Sequence, residues 1–459
     1  MILHRNALAL LRALALMLIV AVLPPLPIAG QPSPPPLYLP LIQNMNRPSS
    51  VFGLEASDIA AGRDRGDLAE LGPTWIRRNG LSWAAVEPVE GGGYNWNAPN
   101  LVALERDMIA ASQLGTKLIL VVQGSPAWAV APYTVNCAPI NPVAYNKFAS
   151  FMAAAVERYS QPPYNVRYWE IGNEPDASLF AGDSIFGCWG DMADPYYGGR
   201  AYGEMLKTIY PAIKTANPAS QVLFGGLLLD KEYNPTTGEG LSSRFLEGAL
   251  LAEAGGAFDI LAYHAYSTYD GTADGLPDIS WKVPFLRGVL ARYAVAKPLF
   301  NTEGALLCNE PSLVCQQAQA YAIPRLYART LRDALQGFIW YIYDSDSFRN
   351  TALIEPTRPT ELRAASLAYR HARRTLQGMQ YYAAFPGLPT GAEGYIFLDD
   401  QQAIGLIWSN IAQPLEIPFT EPLLGCSEWD GQLFPCTNTD NMLRIDLGPA
   451  PRYIIWRTS

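Results

Sequence analysis

The chain has 459 residues, of which 49% are hydrophobic and only 16% charged, a balance that excludes intrinsic disorder and gives enough length for one large domain plus a small one. A formal net charge of −9 argues against nucleic acid and anionic membrane surfaces as partners and leaves neutral substrates open. The 25 Tyr, 16 Phe and 11 Trp suit the apolar faces of sugar rings, and they suit core filling equally well.

At the start, His4, Arg5 and Arg12 precede an apolar run from Ala13 to Leu23, followed by small residues at Ala29 and Gly30. This pattern predicts a signal peptide over residues 1–30 and a secreted, extracellular protein. The run is short for a bilayer span and no other stretch of sequence approaches one, so no membrane association is expected after cleavage. Residues 31–50, with the segment QPSPPPLYLPLI, read as an extended Pro-rich linker.

From residue 51 to residue 378 short apolar runs alternate with longer amphipathic ones. The strand candidates are Val51–Leu54, Thr74–Arg77, Lys117–Val122, Val166–Ile171, Gln221–Gly225, Asp259–Tyr263, Pro298–Thr302 and Gly337–Tyr341. Helical patterns fall between them, for example Leu101–Leu114, Ala144–Tyr159 and Gln316–Leu335. Eight such units in roughly 320 residues predict a (β/α)8 TIM barrel of the α/β class. A doubly wound open sheet would favour a Gly-rich phosphate turn after an early strand, and no G-x-G-x-x-G stands there.

Beyond Met379 the texture changes. Tyr395–Leu398, Ala403–Trp408, Leu415–Phe419, Met442–Leu447 and Tyr453–Trp456 are short runs separated by turn residues, which predicts a small antiparallel β-sandwich over residues 379–459. Six cysteines fit an oxidising compartment, and proximity suggests the pairs Cys137–Cys188, Cys308–Cys315 and Cys426–Cys436 out of 15 possible connectivities. With no C-x-x-C and only 3 His, neither a structural metal nor a cofactor is expected.

Barrel enzymes carry their chemistry where strands end at the C-terminal face. After the fourth strand stands Trp169-Glu170-Ile171-Gly172-Asn173-Glu174-Pro175, and at the seventh Asn301-Thr302-Glu303-Gly304. Two carboxylates facing each other across a cleft suit glycosidic cleavage: one protonates the leaving oxygen and the other meets the oxocarbenium-like carbon. Taken singly, Glu174 is also a reasonable helix N-terminal carboxylate before Pro175, and Glu303 a barrel-mouth salt bridge.

Together the two segments resemble the signatures of the clan A glycoside hydrolases, retaining barrel enzymes with an Asn-Glu acid/base after strand four and a Glu nucleophile after strand seven. The resemblance covers the barrel, and the barrel-plus-β-domain layout is similar to family 39 (β-xylosidases and α-L-iduronidases) and family 5. It implies Glu174 as general acid/base and Glu303 as nucleophile of a glycosidase cleaving β-linked O-glycosides. It also implies substrate contacts at Asn173, His264, Tyr266, Trp128 in the Ser125-Pro126-Ala127-Trp128 loop, and Trp340 as a platform on strand eight. Arg77 in Trp75-Ile76-Arg77 corresponds to the arginine that supports the nucleophile, with Arg78 beside it as the alternative. Glu174 is expected to hold its proton because of the nearby Glu303 charge and partial burial. His264 and Trp340 also have a plainer reading as core residues. Glu170 reads as an arginine partner, and Asp344 and Asp346 as subsite or loop-capping groups. A transglycosylase would use the same residues, and a non-catalytic carbohydrate-binding barrel would be expected to lack one of the carboxylates. The sugar, the linkage and the oligomeric state stay open.

Overall fold

The computed structural model describes residues 50–130, 137–179, 186–271, 277–345, 348–355 and 358–457. The expected signal peptide and nearly all of the Pro-rich linker lie outside these residues, as does Asp346. Eight parallel strands close into a barrel in sequence order: β1 (Phe52–Glu55), β2 (Trp75–Ser82), β3 (Lys117–Gln123), β4 (Tyr168–Asn173), β5 (Gln221–Leu227), β6 (Ile260–Thr268), β7 (Leu299–Leu307) and β8 (Phe338–Trp340). Closure is made by β1 on β8, with Gly53 opposite Ile339 and Leu54 opposite Trp340. Helices on the outside include Pro99–Gln113, Tyr145–Tyr159, Gly199–Ala216, Pro277–Arg292 and Leu313–Arg332. The expected TIM barrel is therefore present, with a strand at each of the eight expected places.

The period-2 alternation of the strands divides the side chains between two layers. Trp75, Ile119, Leu223, Ile260, Ala262, Phe300 and Ile339 form the apolar plug inside the barrel, with Tyr168 against it. The Trp75 indole packs edge-on to Tyr168 and Phe300, at centroid distances of 4.8 and 5.0 Å. Two residues further along several strands, the same inward parity carries polar groups. Gly53 leads to Glu55, Trp75 to Arg77, Tyr168 to Glu170, and Ala262 to His264. The apolar plug fills one end of the barrel, and the charged groups gather at the end where the strands finish. Glycine at position 53 gives room at the closure, because a β-carbon there would sit 2.3 Å from the Ile339 δ-methyl and 3.0 Å from the Trp75 β-carbon.

The C-terminal segment forms a five-stranded antiparallel sheet in the order Gln380–Ala384, Ala392–Leu398, Gln402–Ser409, Arg452–Arg457, Leu423–Glu428, and a three-stranded sheet of Gln413–Pro418, Met442–Leu447 and Thr437–Thr439. Their core contains Phe385, Ile407, Leu415, Leu443, Ile454 and Trp456. This is the expected β-sandwich. It meets the barrel through the helix Leu313–Arg332, where Arg329 donates to Glu393 at 3.0 Å and Arg332 to the Tyr395 hydroxyl at 2.5 Å. A short hairpin of Ile354–Glu355 and Arg358–Leu362 was not expected from sequence. All three cysteine pairs expected from proximity are bonded, with Cα separations of 5.1, 5.9 and 6.1 Å. Cys137–Cys188 ties the segment after β3 to the segment after β4. Among the described residues no helix is long and apolar enough to cross a membrane.

Candidate active site

Arg77 organises the barrel mouth. Its side chain is fully buried and donates to three carboxylates: Glu170 through Nη2 at 2.8 Å and Nε at 3.2 Å, Glu55 through Nη1 at 2.7 Å, and Glu303 through Nη1. Nη2 also reaches Oδ1 of Asn173 at 2.7 Å. Burial alone would disfavour the guanidinium charge, but Glu170, Glu55 and Glu303 outweigh it and hold the group firmly protonated. The choice between the two arginines is thereby made. Arg78, of opposite parity on β2, bonds Asp107 at 2.8 Å on the helix side. Glu170 takes the arginine-partner place expected of it.

Glu303 lies on β7, where the pairing to β6 and β8 shifts register. Arg77 holds its Oε1, and the Tyr266 hydroxyl donates to Oε2 at 2.5 Å. Burial, and then the charge of Glu303, push the Tyr266 hydroxyl well above the usual tyrosine range, so it remains a donor.

Glu174 follows β4 with φ +49°, in the left-handed region that non-glycine residues enter at some cost. Residues 175–177 form a turn and not a helix, so the helix N-terminal reading of Glu174 does not hold. Its backbone N–H donates to the Gly226 carbonyl at 3.0 Å, fixing the turn on β5. Its Oε1 lies 2.8 Å from Nδ1 of His264. Burial pushes the Glu174 carboxyl up to about 7, Arg77 and Lys282 oppose this, and Asp230 and Glu170 add to it. The direction is the expected one, but burial leads and not the charge of Glu303. An oxygen of Glu174, an oxygen of Glu303 and a ring nitrogen of His264 all lie within 4.8 Å of one another. Among the described residues this is the group whose ligand atoms converge enough for a metal ion, and each member already has a hydrogen-bond partner within the site.

Sequence reasoning passed over three residues of this site. Glu55 extends from β1, shares Nη1 of Arg77 with Glu303, and accepts from Asn79 at 2.8 Å. Burial raises its carboxyl to about 8, Arg77 counters, and the Glu303 charge adds. Asp176, two residues beyond Glu174, accepts from the backbone N–H groups of Leu228 and Leu229 at 2.8 and 2.9 Å, which fastens the loop after β5. Burial raises it to about 7, against those two bonds. The third is Tyr341. Its ring meets Tyr266 edge-on at 6.1 Å and Phe348 at 5.5 Å, and it feels the charges of Glu55 and Glu303.

Tyr341 corrects the expectation for Trp340. Ile339 faces the barrel interior, so Trp340 necessarily faces the helices and Tyr341 faces in again. Trp340 is fully buried in the helix layer, with its indole N–H donating to the Thr351 carbonyl at 2.9 Å. It fills the core and offers no face to the barrel mouth, whereas Tyr341 is partly exposed and feels the charge of Glu303. Trp128 lies on the short helix Ala127–Val130 after β3. Its contacts run to Trp83, the Glu87 carbonyl and Lys147 and not to the carboxylate pair. Asp344 caps the backbone N–H groups of Ser57 and Asp58, at 2.9 and 2.8 Å, as a loop-capping aspartate would.

No protein-family model matches the chain, and no curated protein does either. Solved structures do match. A family 39 glycoside hydrolase from Bacteroides cellulosilyticus aligns with a TM-score of 0.69 at 18% identity, over 89% of this chain and 82% of that one. A family 51 α-L-arabinofuranosidase from Bifidobacterium longum aligns at 0.59 and 16% identity, over 89% and 96%. A family 39 β-xylosidase from Caulobacter crescentus aligns at 0.54 and 16% identity, again over 89% and 96%. At these identities the likeness is one of fold, and it includes the family that the sequence motifs resemble.

Proposed function

We propose that the protein is an exported, retaining glycoside hydrolase that cleaves β-linked O-glycosides by double displacement. The observation that carries this reading is a pair of buried carboxylates in unlike settings at the barrel mouth. Glu174 is raised to about 7, while Glu303 is gripped by a cation and a hydroxyl. Their close approach supports direct attack, since retaining pairs stand ~5–5.5 Å apart and inverting pairs ~6.5–9.5 Å. In the first step Glu174 gives its proton to the glycosidic oxygen as the Glu303 carboxylate bonds to the anomeric carbon and the leaving group departs. In the second, Glu174 takes a proton from water, the water oxygen bonds to that carbon, and Glu303 is released. Asn173, oriented by Arg77, contacts the sugar 2-hydroxyl, and Tyr341 replaces Trp340 as the aromatic neighbour of the bound ring. Three disulfides support an extracellular setting, and the solved relatives named as a β-xylosidase and an arabinofuranosidase make pentosides the first substrates to try.

A panel of aryl β-glycosides, pentosides first, tests this, together with plant and microbial polysaccharides and a pH profile. Glu174 works in its protonated form, which is present below about pH 7 and lost as pH rises through that value. On substrates with poor leaving groups, kcat/KM is therefore expected to fall about tenfold per pH unit above that point. Absence of hydrolysis across the panel, or a profile flat to pH 9 on such substrates, contradicts the reading.

A further inference from the structure

We propose that the disulfide Cys137–Cys188 is a positioning element for Glu174, anchoring on the β3 side the backbone strap that fixes where the acid/base carboxyl points. The proposal rests on the reading of Glu174 as acid/base. The strap is residues 186–190, which run beside the turn that carries Glu174, with Gly190 in a parallel bridge to Ser178. Gly187 N–H donates to the Glu174 carbonyl at 3.3 Å, Trp189 N–H to the Pro175 carbonyl at 2.9 Å and Gly190 N–H to the Ala177 carbonyl at 2.8 Å. Leu179 N–H returns a bond to the Gly190 carbonyl at 2.8 Å. The two segments touch closely: a β-carbon at Gly187 would stand 2.6 Å from Pro175 Cα and 3.0 Å from the Asn173 carbonyl oxygen. Cys188, fully buried, sits between the two residues that hold the Glu174 and Pro175 carbonyls.

Glu174 and Cys188 both hold left-handed backbone, with φ +49° and +48°. Such residues persist where their surroundings over-determine them. On the β5 side the Gly226 carbonyl does this, accepting from the Glu174 N–H at 3.0 Å. On the β3 side packing leaves a cavity of about 40 Å³, lined by Gln123, Gly124, Ser125, Cys137, Gly172 and Gly187 among others. Protein interiors are otherwise close-packed, so side-chain contact across this gap is incomplete, and Cys137–Cys188 bridges it covalently. Freed of that bond, the strap has space to settle into and the Glu174 carbonyl loses its Gly187 donor. The turn then relaxes and carries the carboxyl off the leaving-group oxygen, where a displacement of about 1 Å costs about 100-fold in rate. Residues 186–190 carry no charged side chain. The groups acting on the Glu174 carboxyl are Arg77, Glu170, Asp230, His264, Lys282 and Glu303, from β2, β4, the loop after β5, β6, the helix Pro277–Arg292 and β7. Loss of the bond therefore changes the burial of Glu174 and not its charged neighbours.

The full-length double variant Cys137→Ala/Cys188→Ala is expected to lose about 100-fold in kcat/KM on glycosides with poor leaving groups and less than about threefold on dinitrophenyl glycosides, which need little protonation. Burial holds the Glu174 carboxyl at about 7, so in the loosened protein its proton leaves at lower pH. The falling limb of the pH profile should move down by about half a unit or more. In a Glu174→Ala background, removing the same bond should cost almost nothing on either substrate, because the group it positions is gone. Removing the β-sandwich bond instead, with Cys426→Ala/Cys436→Ala, should leave the leaving-group ratio and the profile as they are. Equal losses on both leaving groups, an unmoved profile, or losses that multiply with those of Glu174→Ala overturn the positioning role while Glu174 keeps its own. A Glu174→Ala variant without leaving-group dependence overturns the acid/base reading and the proposal with it. If the double variant does not fold, Gly187→Ala decides: its disulfide is intact, its β-carbon pushes the strap off Pro175, and the same selective loss is expected, whereas equal losses overturn the proposal.

Discussion

Glu303→Gly is expected to lower kcat on aryl β-glycosides by on the order of 10⁴–10⁶-fold, the scale seen when a covalent nucleophile is removed. The fold should survive, because Arg77 keeps its bonds to Glu170, Glu55 and Asn173. The vacated space keeps Arg77 Nη1 and the Tyr266 hydroxyl, the two donors that hold the native carboxylate. They are suited to draw in a small anion. Added azide should therefore attack the anomeric carbon from the same face and give a glycosyl azide of inverted configuration. A variant that keeps more than a tenth of its activity without azide would remove Glu303 from the nucleophile role.

Glu174→Ala is expected to behave differently. Removing the acid should cost about 10³–10⁴-fold in kcat/KM on substrates with poor leaving groups and far less on dinitrophenyl glycosides, which need little protonation to depart. The fall in activity above about pH 7 should vanish from this variant, because the group that loses its proton there is gone. The glycosyl–Glu303 ester would then accumulate for want of a base. Azide should accelerate turnover and yield a glycosyl azide of retained configuration. The two rescues have opposite stereochemistry, so they assign the residues individually. A Glu174→Ala variant equally impaired on all leaving groups, with its pH profile unchanged, would contradict the acid/base role.

Much of this arrangement is readable from the sequence because parallel strands buried on both sides are short, apolar and separated by amphipathic helices. Five of the eight expected strands end within two residues of the observed end, and the second, sixth and seventh run five residues further, to Ser82, Thr268 and Leu307. The carboxylate pair is legible because Asn173-Glu174 closes β4 and Thr302-Glu303 follows the apolar start of β7, although β7 itself continues to Leu307. Glu55 carries no such motif: FGLE is a four-residue strand, and the barrel closure that sets Gly53 against Ile339 shows that Glu55 points inward. Parity could have found it, and parity would also have corrected Trp340, since Ile339 and Tyr341 share one face of β8 and Trp340 the other. The register shifts within β6 and β7 are not visible in sequence, because they depend on how neighbouring strands tilt. Trp128 was expected at the sugar from its loop, but its orientation depends on Trp83 and Lys147, partners brought together only by the fold.

Whether the close-set pair of Glu174 and Glu303 works by double displacement is tested most directly by proton NMR of the first sugar released. The spectrum is recorded within the first minutes of hydrolysis of an aryl β-glycoside, before mutarotation mixes the anomers. The account predicts that the β anomer appears first and the α anomer only later, as equilibrium is reached. An initial α anomer would mean a single displacement by water, and Glu303 would then be a base and not a nucleophile.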